Sequence, residues 1–186
     1  MPAAPLVYIM GPSGAGKDSV IQYARRKLNA AHPVLFAHRY ITRPIGEDIE
    51  NYIALTPAEF AQRKNHGLFA FDWGAYGLSY GIGTEVRTWQ SAGFTVVVDG
   101  SRAHFMRQAN LLDDVAPVLI TASGDALRAR LTGRQRENSE AIERRLQRAA
   151  AISVAHGSLI TIDNSGLLDQ AGDQLTKFLI NCAREG

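Results

Sequence analysis

Leu6-Val7-Tyr8-Ile9-Met10-Gly11-Pro12-Ser13-Gly14-Ala15-Gly16-Lys17-Asp18 decides the fold of this chain. The apolar run Leu6 to Met10 reads as a buried strand, a glycine-rich turn follows, and a lysine opens an amphipathic helix. The spacing matches the phosphate-binding loop, G-x-x-x-x-G-K, in its expected place between strand and helix. Glycines let the backbone wrap closely around a triphosphate with its N–H groups turned inward. The helix contributes its positive N-terminal end, and Lys17 contributes a point charge at the β- and γ-phosphates. Gly11, Pro12, Ser13, Gly14, Ala15, Gly16, Lys17, Asp18 and Ser19 are therefore the expected contacts of a nucleoside triphosphate. Most such loops carry Ser or Thr after the lysine, as a magnesium ligand, whereas this one has Asp18. A carboxylate is also a hard-oxygen donor, so Asp18 is an expected Mg2+ ligand.

Composition agrees with an enzyme. The 186 residues suffice for one domain with a sizeable core and small appended lobes. A net charge of +2 implies no global pull toward nucleic acid or membrane. Cys182 is the lone cysteine, which rules out an intramolecular disulfide and fits a reducing cytoplasm. The first apolar run is short and enters the phosphate loop, so neither a signal peptide nor a membrane span is expected.

Strands and helices alternate, which favours a parallel α/β sheet flanked by helices. Expected strands are Leu6 to Met10, Val34 to Ala37, Phe94 to Asp99, Val118 to Thr121 and Leu159 to Asp163. Expected helices cover Asp18 to Asn29, Ala103 to Leu112, Asp125 to Leu131, Glu140 to Ala155 and Leu167 to Ala183. In the last of these, Leu168, Ala171, Leu175, Phe178, Leu179 and Cys182 share one face and read as core. Between Tyr40 and Gly83 the rhythm breaks into short strands, glycines and aromatics. Thr56-Pro57-Ala58-Glu59 announces one short helix there, as a capping box with proline at the first helical position. The expected organisation is one domain: a core of 1–37, 84–132 and 156–186, an acceptor-binding lobe over 38–83, and a lid with its following helix over 133–155. Such a lobe would sit over the carboxyl edge of the sheet, where open α/β sheets bind ligands.

Three further groups carry chemistry. Thr95 to Val98 form an apolar strand ending in Asp99, which suits the second acidic element of a phosphate-loop enzyme and a role at magnesium. Arg128, Arg130, Arg134, Arg136, Arg144, Arg145 and Arg148 cluster around Gly133. Some must pair with Glu137, Glu140 and Glu143. Others suit phosphate oxygens, which guanidinium clamps with two parallel hydrogen bonds, and a closing lid would bring them to the transferring group. In the insert, Arg39, Arg43, Tyr52 and Tyr80 are positioned to grip an anionic acceptor.

With these pieces in place, the chain resembles the guanylate kinase family over nearly its full length. The resemblance rests on Gly11 to Lys17, Ile41-Thr42-Arg43, Tyr80-Gly81, Val98-Asp99, Arg130-Leu-Thr-Gly-Arg134 and Arg145-Leu146. It is most similar to the bacterial branch that phosphorylates ribose 1,5-bisphosphate to 5-phospho-α-D-ribose 1-diphosphate (PRPP). Gly16-Lys-Asp-Ser19, His38-Arg-Tyr-Ile-Thr-Arg43 and Gly100-Ser-Arg-Ala-His104 carry that narrower likeness. The resemblance implies a P-loop kinase fold with a parallel core, a small mixed α/β acceptor-binding lobe and an arginine-rich lid. It implies ATP as phosphoryl donor, Mg2+, and a link to phosphonate breakdown. It further implies that Lys17, Arg134 and Arg145 are catalytic, that Arg130 and Asn164 contact the nucleotide, and that Arg43, Tyr52 and Tyr80 hold an acceptor phosphate. Where guanylate kinases read guanine with a serine and two acids, this chain aligns Arg39, Phe71 and Ser101. A guanine pocket needs acceptors, whereas a pocket for a second phosphate needs donors, which Arg39, Ser101 and Arg102 supply. The leading expectation is therefore a ribose 1,5-bisphosphate kinase. A GMP kinase is the runner-up. A non-catalytic binding module is disfavoured by the retained Lys17, Arg134 and Arg145.

Overall fold

A computed structural model describes residues 4–44, 51–108, 115–133 and 139–185, with backbone alone for Ser139, Ala141, Arg148 and Glu185. Among these the chain runs β1 (Leu6–Met10), α1 (Lys17–Lys27), β2 (Val34–Phe36), β3 (Arg39–Ile41), β4 (Tyr52–Ala54) and α2 (Pro57–Asn65). It continues through β5 (Phe69–Ala75), β6 (Leu78–Gly83), α3 (Glu85–Ser91), β7 (Thr95–Asp99) and α4 (Arg102–Gln108). The remainder is β8 (Val115–Thr121), α5 (Gly124–Gly133), α6 (Ser139–Ala151), β9 (Ile160–Asp163) and α7 (Leu168–Glu185).

Five strands form a parallel sheet in the order β2-β7-β1-β8-β9. Its central strand β1 is buried at every position, as a strand covered on both faces must be. The two faces alternate with the period of the strand. Val7 and Ile9 pack with Val20 and Ala24 of α1 and Ala171, Leu175 and Leu179 of α7. Leu6, Tyr8 and Met10 pack with Val86 of α3, Phe105 of α4 and Phe71, Trp73 and Ile82 of the second sheet. That second sheet, β4-β3-β6-β5, is mixed: β3 pairs parallel with β4 and antiparallel with β6. Its helix α2 starts as the sequence predicts, with Thr56 Oγ1 accepting from the Glu59 N–H at 3.1 Å and Pro57 in the first turn.

The departures from expectation have local causes. β8 begins at Val115, ahead of the expected Val118, and so contains Pro117. The proline is tolerated because β9 joins the ladder only from Val118 onward. Helix α3 was not anticipated; at seven residues it is too short to display a helical period. On α7, Leu168 is exposed and Cys182 only half-buried, so the buried stripe is narrower than the apolar pattern. The expected continuation of α4 to Leu112 falls outside the described residues.

Candidate active site

The register of the parallel sheet sets the site. β1 and β7 are neighbours, with Ile9 opposite Asp99, so the loop leaving Met10 and the acid ending β7 emerge side by side at the carboxyl edge. Gly16 takes φ 77°, and a Cβ there would stand 2.5 Å from Asn164 Nδ2. Only glycine fits such a left-handed, closely approached position. The approach has a purpose. Asn164 Nδ2 donates to the Ala15 carbonyl at 2.7 Å and Arg130 Nη1 to the same oxygen at 3.2 Å. Arg130 Nη2 donates to the Asn164 carbonyl at 2.6 Å. These two residues, expected at the nucleotide, thus fasten the phosphate loop from behind. Asn164 is nonetheless buried with its Oδ1 lacking a hydrogen-bond partner. An unsatisfied buried acceptor is costly, and the amine of a nucleotide base would satisfy it.

Beneath the loop lies a cluster of four charges. Lys17 Nζ donates to the Asp99 carboxylate and, at 3.3 Å, to Asp18 Oδ1. Arg39 Nη1 lies 3.0 Å from Asp99 Oδ2, and its Nη2 lies 3.6 Å from Asp18 Oδ1. Lys17, Arg39 and Asp99 are each only 13% exposed at the side chain. Burial works against the charge on Asp18, but Lys17 and Arg39 outweigh it and hold its carboxyl down at about 2. Burial pushes the Asp99 carboxyl up against the pull of the same two cations. Among the described residues no group of three or more His, Cys, Asp or Glu could hold a metal. The neighbouring carboxylates of Asp18 and Asp99 nevertheless suit Mg2+, which takes one or two carboxylates and completes its shell with phosphate oxygens and water.

An open cleft of about 1000 Å3 extends from the phosphate loop and Ser19 to the second sheet. Arg39, Arg43, Tyr80, Ser101, Arg102 and Arg145 all line it. Tyr80 stacks on Trp73 with parallel rings 5.6 Å apart. Tyr52 is not in the cleft wall. Its ring lies 4.5 Å below the Arg43 guanidinium, and its hydroxyl donates to the Pro44 carbonyl at 3.1 Å, so it props Arg43 in place. Arg102 Nη1 donates to the carbonyls of Ala149 and Ile152 at 2.9 and 2.8 Å, capping the C-terminal end of α6. Arg145 reaches back from α6 to the phosphate loop, where its Nη1 donates to Ser13 Oγ at 3.2 Å. Arg128 instead makes a bidentate pair with Glu143, joining α5 to α6 at the surface. Arg134 and residues 135–138, the middle of the expected lid, lie outside the described residues.

The floor of the cleft is a buried polar network. Tyr8 Oη accepts from the Ser101 N–H at 3.0 Å and hydrogen-bonds with His104 Nδ1 at 2.9 Å. Gly100 lies against Tyr8 so closely that a Cβ would meet the ring at 2.0 Å. His104 is only 5% exposed and is packed among Tyr8, Phe71 and Trp73. Burial, aided by Arg107 and opposed by Asp72, pushes its imidazole below the usual histidine value of 6.5. Its burial and its bond to Tyr8 mark a structural residue held toward the neutral form. The native state therefore binds fewer protons at this site than the unfolded chain, and stability falls as pH drops below about 6.5. Replacing His104 with Asn should flatten that slope in denaturant titrations run between pH 7.5 and 5.5. An unaltered slope would show that His104 is not its source.

Similarity to known proteins agrees with this geometry. The chain is 45% identical to ribose 1,5-bisphosphate phosphokinase PhnN of Desulfomicrobium baculatum, over 97% of both chains. It is 45% identical to the protein of the same name from Burkholderia mallei, over 99% of this chain and all of that one. The Chromobacterium violaceum protein of that name is 46% identical over 94% of this chain and 92% of its own. No protein-family model matches the chain. Among solved structures, guanylate kinase from Anaplasma phagocytophilum superposes with a TM-score of 0.68 over 95% of this chain and 85% of that one. At 12% identity, that likeness speaks for the fold alone.

Proposed function

The chain belongs to the ribose 1,5-bisphosphate phosphokinase family, and from that premise we propose that it transfers the γ-phosphoryl group of ATP to the 1-phosphate of ribose 1,5-bisphosphate, yielding PRPP and ADP. The observation that carries this reading is the chemistry of the acceptor side of the cleft. Where a guanine base would need carboxylates, Phe71 is buried edge-on against Tyr8. Nearby stand the guanidinium groups of Arg39, Arg43 and Arg102. That wall favours an acceptor with two phosphates over one with a base.

The chemistry asks little of proton transfer. The nucleophile is an oxygen of the C1 phosphate, already anionic at neutral pH. It forms a bond to the γ-phosphorus as the bond to the β-bridging oxygen breaks and ADP leaves. No general base is required, and neutral His104, tied to Tyr8, is not placed as one. The difficulty is repulsion between two anions. Preorganised charge at the site of reaction is the usual remedy. The backbone of Gly11 to Ser19 and Lys17 would hold the β- and γ-phosphates, with Arg145 poised beside Ser13. Arg43, propped by Tyr52, and Tyr80, stacked on Trp73, would hold one acceptor phosphate, with Arg39 and the Ser101–Arg102 segment near the other. Asn164 Oδ1 would accept from the adenine amine while Arg130 keeps the loop in shape. Asp18 and Asp99 would hold Mg2+, which neutralises the phosphate oxygens when bound. The lid arginines, Arg134 among them, would close over the reacting group and exclude water. The lone Cys182 is consistent with work in a reducing cytoplasm.

Two measurements test this. Incubation with ATP and ribose 1,5-bisphosphate should produce ADP together with a sugar diphosphate, visible by 31P NMR as a coupled pair of phosphorus signals. ADP release with no coupled pair beyond those of ADP and ATP would refute the acceptor. For the metal site, Asp18→Asn should raise the Mg2+ concentration for half-maximal rate by about tenfold, because the site loses a formal charge. An unchanged magnesium requirement at saturating ATP would remove Asp18 from the metal's ligands.

A further inference from the structure

Tyr8 is the one hydroxyl-bearing residue of the otherwise apolar β1, and it is wholly buried. A buried hydroxyl without a partner is costly, and phenylalanine would fill the same space with nothing to satisfy. The contribution of the hydroxyl is therefore its bonds, and these lead to one place. Past β7, the Gly100 N–H donates to the Ile9 carbonyl at 2.8 Å. The next N–H along the chain, that of Ser101, donates instead to Tyr8 Oη at 3.0 Å. The Tyr8 O–H has two acceptors in reach, His104 Nδ1 at 2.9 Å and the Ser101 carbonyl at 3.4 Å. That carbonyl already accepts from the Phe105 N–H at 2.9 Å, so the shorter bond to His104 sets the direction of the hydroxyl. Burial pushes the Tyr8 hydroxyl above its usual range and the His104 imidazole below its own, which keeps the phenol a donor and Nδ1 an acceptor. Among the described residues, the Tyr8 hydroxyl bonds only to Ser101 and His104 and to nothing in the phosphate loop.

Ser101 and Arg102 line the cleft alongside Arg43 and Tyr80. We propose that Tyr8 is a positioning residue for the acceptor: its hydroxyl, oriented by His104, holds the Ser101–Arg102 segment in the conformation that receives the acceptor. This rests on the kinase reading above, but not on the identity of the acceptor. The central strand then serves both substrates, the donor through the loop at its end and the acceptor through a side chain in its middle.

Tyr8→Phe keeps the ring and removes the bonds. The segment can then leave its binding conformation, and acceptor affinity falls with the fraction of molecules that remain competent. The net worth of one buried hydrogen bond sets the scale. KM for the acceptor should rise about five- to tenfold, while KM for ATP stays within about twofold. His104→Leu leaves the hydroxyl but removes the group that orients it, and should raise the acceptor KM while again sparing that for ATP. Melting curves show whether each variant folds, and His104→Leu carries the test if Tyr8→Phe does not. Both are assayed with whichever of ribose 1,5-bisphosphate and the nucleoside monophosphates the wild type turns over fastest. An unmoved acceptor KM in either folded variant, or equal rises in both KM values, would overturn the proposal, because a merely loosened core disturbs both substrates alike. Failure of both variants to fold would make the network part of the core alone and overturn it as well. A wild type that turns over none of these acceptors would instead overturn the kinase reading, and this proposal with it.

Discussion

Lys17→Ala should cost turnover a hundredfold or more while the protein still folds. Lys17 sits where the phosphate loop turns into α1, its ammonium bonded to Asp99 and Asp18. In the proposed reaction that ammonium would lie against the β- and γ-phosphates. Removing one preorganised charge contact of this kind costs about 3 kcal/mol of transition-state stabilisation. The effect belongs in kcat, because the charge is most needed as the leaving oxygen accumulates negative charge. Folding should survive because Arg39 remains bonded to Asp99 and close to Asp18, so neither carboxylate is stranded without a cation. Circular dichroism and a melting curve check the fold, and a coupled ADP assay checks the rate. A folded Lys17→Ala protein with near-normal kcat would remove the phosphate loop from the mechanism.

What the sequence discloses here is what is local. The strand–loop–helix of residues 6–27 is legible because apolar run, glycines and lysine lie within a few residues, and the structure places β1, the loop and α1 there. The place of Asp99 is legible because the apolar run before it ends there, and the structure sets it at the end of β7 beside Lys17. The partnerships are not legible. Arg39 lies 60 positions from Asp99, and nothing in its neighbours announces that it shares the acids with Lys17. Arg130, Asn164 and Arg102 act on backbone carbonyls, which every residue has, so no residue pattern marks them. Tyr52 reads as a ligand because tyrosine and arginine often meet phosphates, but no local pattern marks the contact of its ring with the Arg43 guanidinium. The Tyr76-Gly77 turn between β5 and β6, with positive φ at both residues, lacks the Asn-Gly signature of its kind.

The second large effect is acceptor choice. Guanine carries N–H donors, and at the aligned positions the chain has the buried Phe71 and, lining the cleft, Ser101 instead of carboxylates. A polar group buried without a partner costs about 1–3 kcal/mol, and two such losses amount to roughly a hundredfold or more. Arg39 adds to the penalty. It lines the cleft beside the acids, and an uncharged base gives it nothing that a phosphate would. Ribose 1,5-bisphosphate should therefore exceed GMP by at least that factor in kcat/KM, and Arg39→Ser should narrow the gap. If the gap does not move in Arg39→Ser, the acceptor stands and Arg39 belongs to the acid cluster alone. The deciding measurement is kcat/KM of the wild-type protein for ribose 1,5-bisphosphate and for GMP, side by side at saturating MgATP. A strong preference for the bisphosphate is the predicted result, and a preference for GMP would contradict the account.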